Sequence, residues 1–141
     1  MTPAQDIYRE AKRHGYVCPR FQGTESSEQL MRLFLTPQGI EFCQKYNFPD
    51  INTLRTFRGL EAGRHGIYID AGHVVLHNAE QVALIGDTVA ELRYDDPQKR
   101  HEVILMHGAK AHVIATGWAV VAIINGGCEV TTVIKDRAKI L

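Results

Sequence analysis

The chain has 141 residues, 45% of them apolar and 23% charged, and its formal net charge is zero. These totals describe one ordinary folded domain, or a small cap joined to a repeat array. They leave no bulk basicity to draw in nucleic acid or an anionic membrane, so neither is an expected partner. The longest apolar run, Trp118 to Ile124, is far below the ~20 residues of a spanning helix. The first residues, Met1 to Asp6, show neither the charged nor the apolar region of a secretion signal. Three widely spaced cysteines, Cys18, Cys43 and Cys128, form no Cys-x-x-Cys pair and read as free thiols of a reducing compartment, so a cytoplasmic protein is expected.

Residues 1–65 read as helical. An amphipathic stretch from Ala4 to Arg13 carries Ile7, Tyr8 and Ala11 on one face, and Gly15 ends it. Ser26 with Gln29 three residues on is a capping-box pattern, followed by Leu30, Met31, Phe34 and Leu35 at helical spacing. Thr36-Pro37 starts another helix, because proline tolerates the first turn, where its missing N–H costs nothing. Asp50 can cap a further segment, Ile51–Arg58, with Ile51, Leu54 and Phe57 inward.

At Gly66 the apolar period changes from 3.6 to 2, and residues 66–141 read as a β-repeat domain. Predicted strands fall on Ile67–Ile69, Val74–Leu76, Val82–Ile85, Val89–Tyr94, Val103–Met106, Ala111–Ala115, Trp118–Ile124, Cys128–Ile134 and Ala138–Leu141. Turns rich in Gly, Asn and Asp separate them. A small–x–aliphatic unit recurs as Ala90-Glu91-Leu92, Ala111-His112-Val113, Ala119-Val120-Val121, Cys128-Glu129-Val130 and Ala138-Lys139-Ile140. A longer register superposes Ile85–Leu92 on Met106–Val113 and on Ile123–Val130, with steps of 21 and 17 residues. The polar stretch Asp95–Arg100 absorbs the excess as a loop. Recurrence at this period points to stacked rungs. The predicted fold is therefore α+β: a small N-terminal helical cap followed by a short β-solenoid, with an antiparallel β-sandwich or jelly roll as the alternative. Ala90, Ala111, Cys128 and Ala138 are expected to be buried and stacked, beside Leu92, Val113, Val130 and Ile140.

The elements Phe48-Pro49, Leu54-Arg55, Phe57 and Gly66-Ile67-Tyr68-Ile69-Asp70, set before a repetitive β tail, resemble those of small bacterial and phage proteins with a helical N-terminus. No activity is assigned to that family, so the resemblance implies an architecture and a phage or mobile-element origin, not a chemistry.

Chemical constellations are sparse. His73 and His77 share a strand face, with Asp70 and Glu80 near in sequence and His107 and His112 in a later rung. Imidazoles with a carboxylate suit Zn²⁺ or Fe²⁺, which makes a metal-dependent jelly-roll enzyme a third reading. The short His-x-His…Glu arrangement of such sites is missing, and so are a nucleophile elbow, a phosphate loop and a dinucleotide fingerprint. Cys128 aligns with alanines and reads as a small core residue. Asp95-Asp96 lacks the spaced oxygen ligands of a calcium site. The segment 36–58 has roughly helix-turn-helix lengths and would present Asn52, Arg55, Thr56 and Arg58 outward. The alternative function is therefore a DNA-binding regulator.

The strand Trp118–Ile124 is apolar on both faces, so either the chain covers it twice or a partner does. Sequence alone thus favours a non-catalytic scaffold or binding module without a cofactor. It would self-associate, or hold a protein partner, through Trp118, Val120, Ala122, Ile124, Ile140 and Leu141.

Overall fold

The structure, a computed structural model, describes residues 2–16, 18–58 and 62–141. The chain divides into two compact units, Met1–His65 and Gly66–Leu141.

The first unit holds α1 (Pro3–Arg13), α2 (Ser27–Phe34), α3 (Pro37–Tyr46) and α4 (Ile51–Arg55), then a 3-10 turn at Ala62–His65. Each α-helix begins at a side-chain cap. Thr2 and Ser26 make reciprocal capping boxes with Gln5 and Gln29, while Thr36 accepts from Gly39 N–H and Asp50 from Thr53 N–H. Buried Ala4, Ile7, Ala11, Met31, Ile40, Phe42, Phe48, Leu54 and Phe57 form the apolar interior of this unit. Phe42, Tyr46, Phe48 and Tyr16 meet ring to ring, with Tyr16 stacked on Tyr46 at 4.1 Å. The predicted helix Ile51–Arg58 is shorter than expected: α4 ends at Arg55, and Thr56 to Arg58 form a turn.

The second unit is a two-sheet parallel solenoid of about four coils. Its strands are β1 (Ile67–Ile69), β2 (Gly72–His77), β3 (Gln81–Ile85), β4 (Thr88–Tyr94), β5 (Arg100–Met106), β6 (Lys110–Ala115), β7 (Val120–Asn125), β8 (Glu129–Ile134) and β9 (Lys139–Ile140). Odd strands form one sheet, β1-β3-β5-β7-β9, and even strands the other, β2-β4-β6-β8. Every pairing among these strands is parallel, which rules out the antiparallel sandwich.

Successive side chains alternate across a strand, so one parity of each strand turns inward. Val82, Leu84, Val103, Leu105 and Val121 of one sheet meet Ala90, Leu92, Tyr94, Ala111, Val113 and Ala115 of the other in one buried cluster. The odd sheet is apolar on its second face as well. Ile67, Ile69, Ala83, Ile85, Ile104, Met106 and Ala122 are all buried, which explains the near-continuous apolar runs of β3 and β5.

Corners supply the backbone that ladders cannot. Gly66 enters β1 at φ +80°, and a Cβ there would lie 2.5 Å from the Gln81 carbonyl oxygen, so only glycine fits. At one corner Asp87 N–H donates to Asp70 Oδ1 (2.8 Å) and Thr88 Oγ1 donates to the Ile85 carbonyl (2.9 Å), which satisfies a buried hydroxyl. The stretch between β4 and β5 is the long connection, and across it Gln81 meets Glu102, 21 residues on.

The register corrects part of the predicted stack. Ala90 pairs with Ala111 and Leu92 with Val113, as the aligned units require. Ala111 then pairs with Val130, not Cys128. Glu129 pairs with Lys110, which sets half-buried Cys128 over buried Ala109 at the corner. Ala138 is buried but belongs to the other wall: Lys139 pairs with Val120, so Ala138 follows Ala119. The cause lies in β7, whose unbroken Val-Val-Ala-Ile-Ile run has no polar alternation to fix its register.

Candidate functional site

The last coil carries most of what is uncovered. β8 and β9 are edge strands, each paired on one side only. Val130, Thr132 and Ile134 continue the inward columns of Ala111, Val113 and Ala115, yet Ile134 is 52% exposed and Thr132 is exposed. Sequence reading did not single out Ile134, because an inward parity predicts burial. On the other wall Ile140 pairs with Val121 and packs against the core, while Leu141 is 64% exposed.

Trp118 lies in the turn before β7, not in the strand, and is 65% exposed. The Arg137 guanidinium covers its ring at 5.5 Å, and Gly117 N–H donates to Asp136 Oδ2. Of the other predicted interface residues, Ala122 is buried and Val120 and Ile124 are half-buried. Ala122 is therefore the one member of this face that cannot meet a partner directly. The exposed set is Trp118, Ile134 and Leu141, flanked by Lys135, Arg137 and Lys139.

The histidines do not assemble. His73 and His77 share one face of β2, but four strand residues separate them by ~13 Å, too far for one ion. His77 Nε2 instead meets Asp95 Oδ1 at 3.2 Å, and His112 Nδ1 meets Thr131 Oγ1 at 2.6 Å. Among the described residues, no three His, Cys, Asp or Glu side chains are grouped to hold a metal.

Asn78 is the organiser of the second corner. Its amide nitrogen donates to Asp95 Oδ1 (2.7 Å) and its oxygen accepts from Asp95 and Asp96 N–H. The Asn78 hydrogen bond, with a smaller contribution from His77, holds the Asp95 carboxyl below the usual carboxylate range against a small desolvation penalty. A depressed carboxyl contributes stability at neutral pH that is lost as pH falls through its folded value. The Asp95→Asn variant, which cannot titrate, is therefore expected to lose less stability on acidification than the parent. Urea unfolding followed from neutral pH to well below about pH 4 tests this.

Deeper in the same corner His101 is fully buried, with Nδ1 3.2 Å from the Ala79 carbonyl and its ring 4.7 Å from that of Tyr94. Among the described residues, His101 Nε2 and the Tyr94 hydroxyl have no hydrogen-bond partner, and Asp96 Oδ2 stands 3.9 Å from that nitrogen. Burial pushes the Tyr94 phenol well above its ordinary range. Both side chains lie in the buried core.

Neither Cys43 nor Ser26 is set up as a nucleophile. Burial, and secondarily the Cys18 thiol, pushes Cys43 up to about 12, so it carries almost no thiolate at neutral pH. Ser26 Oγ accepts from Gln29 N–H as a helix cap.

In the segment 36–58, Asn52, Thr56 and Arg58 are exposed and Arg55 is half-buried. Arg55 and Arg58 are each engaged within the chain, and Thr56 Oγ1 donates to the Thr53 carbonyl. At five residues, α4 is much shorter than the recognition helix that a helix-turn-helix lays in a major groove.

No helix among the described residues is long and apolar enough to cross a membrane. No family model, curated protein or solved structure matches this chain.

Proposed function

We propose that the chain is a non-catalytic scaffold or binding module that self-associates through its last coil. The observation behind this reading is the unpaired edge of β8, whose inward column ends on exposed Ile134, with exposed Trp118 and Leu141 on the same coil. A two-fold axis at that edge would set β8 antiparallel to its copy and extend the even sheet across the interface. Lys135 and Lys139 oppose indiscriminate strand addition, which favours one closed partner over open stacking. The resemblance to small bacterial and phage proteins supports a mobile-element origin, and three free thiols fit a cytoplasmic setting.

Light scattering coupled to size exclusion at micromolar protein is the test. The parent is expected to run as a dimer, and Ile134→Lys as a folded monomer with unchanged circular dichroism. A monomeric parent would sink the reading.

A further inference from the structure

The first unit contains a cleft that the self-association reading leaves unused. It has a volume of about 390 Å³ and is lined by Gln5, Tyr8, Arg9, Lys12, Gln22 and Gly23. Four of these come from one face of α1, at positions 5, 8, 9 and 12, where helical spacing brings side chains together. The opposite wall is the loop at Gln22-Gly23. Glu25 fixes that loop by accepting Gln22 N–H (3.0 Å) and Gly23 N–H (2.8 Å) on its two carboxylate oxygens. Gly23, buried at φ +88°, lies so close to Tyr8 that a Cβ would stand 2.7 Å from the ring's Cγ. The loop can close on the helix only because that position lacks a side chain.

The charges of this cleft are one-sided. Its lining has two cations and no acid. Of the two acids on α1, Glu10 meets Arg13 at 2.6 Å and His14 at 3.6 Å, and Asp6 lies three residues before Arg9. Glu25 spends both oxygens on backbone donors. Lys12 Nζ sits 5.4 Å from the Tyr8 ring centroid, and Arg9 has no ion-pair partner among the described residues. Two side-chain cations one helical turn apart therefore face the same opening with no carboxylate in ion-pair contact among the described residues, and an oxyanion between them would relieve their repulsion and take charge-assisted hydrogen bonds. The volume falls in the range of small-molecule sites and exceeds a lone anion. The Gln22 amide and the Gln5 amide nitrogen, whose oxygen accepts Thr2 N–H in the capping box, stand beside the cations, and the half-buried Tyr8 ring, braced edge-on by Phe21 at 5.4 Å, supplies an apolar wall.

We propose that this cleft binds a small phosphorylated organic molecule, with its phosphate between Arg9 and Lys12 and its polar body against Gln5, Gln22 and Tyr8. The test is a titration of the ¹⁵N-labelled full chain with ribose 5-phosphate, inorganic phosphate, ribose, and sodium chloride at matched ionic strength. Ribose 5-phosphate is expected to shift the amides of Arg9, Lys12, Gln22 and Gly23 saturably, and to bind more tightly than inorganic phosphate. Arg9→Ala and Lys12→Ala, both exposed positions that leave the helix cap intact, are each expected to weaken binding by about tenfold, the order of one lost charge-assisted contact. Shifts that chloride reproduces, equal affinity for inorganic phosphate, or unchanged affinity in both variants would overturn the proposal.

Discussion

Leu92→Ala is expected to destabilise the solenoid by about 2–5 kcal/mol, the range for a truncated and fully buried leucine. Leu92 sits in the middle of β4, is wholly excluded from solvent, and pairs with Leu76 on one side and Val113 on the other. Parallel ladders on both flanks fix the backbone there, so the walls cannot collapse far into the vacated space. The lost transfer energy and the residual cavity therefore add. Denaturant unfolding measured on the parent, on Leu92→Ala and on the exposed control Val75→Ala separates core loss from a general strand effect. A cost near that of the control would mean that this coil is not the packed centre.

Ala111→Phe is the complementary case, with an expected cost of about 1–3 kcal/mol or more. Ala111 lies between Ala90 and Val130 in the inward column of the even sheet, and the odd sheet closes the space opposite. A coil cannot widen locally without pulling its neighbours off register, because each strand is bonded to the next coil along its length. The same substitution at Val130, which is half-buried with no coil bonded beyond it, should cost much less. Equal costs at the two positions would contradict the assigned column.

The contrast between these columns marks how far the sequence could be read. Nine strands and their turns were legible because alternation and Gly, Asn or Asp at corners are local signals. So was the pairing of Ala90-x-Leu92 with Ala111-x-Val113, where small and large residues repeat in phase. The final register was not legible. Two-faced apolar β7 satisfies several alignments, and the ladder is chosen by how Asn125, Gly126 and Gly127 turn the corner: Gly126 N–H bonds the Leu105 carbonyl. Residue 118 was read into the strand for the same reason, since a tryptophan beside Val-Val looks like strand until the turn at Gly117 is placed. Ile134 is not legible because its parity is inward, and only the sheet order shows that β8 is bonded on the β6 side alone. The helix caps at Ser26, Thr36 and Asp50 were readable from side-chain chemistry. The end of α4 was not, because no residue type near Arg55 announces it. The cleft beside α1 was invisible for a different reason. It depends on Gly23 meeting Tyr8, a contact that no spacing rule anticipates.

The ladders described above join residues that are close along the chain: Asp70 bonds Asp87, 17 residues later, and His112 meets Thr131, 19 later. A protein built wholly of parallel strands in this half nevertheless has almost no contact that spans the whole unit. Its assembly resembles the growth of a filament more than the closure of a barrel. One formed coil templates the next, and the loop-closure cost is the same small step each time. The same geometry makes loss directional. Coils leave from whichever end lacks a neighbour, so amide exchange should be faster in the edge strands β1, β2, β8 and β9 than around β4 and β5, and a molecule that occupies the β8 edge would slow exchange there first.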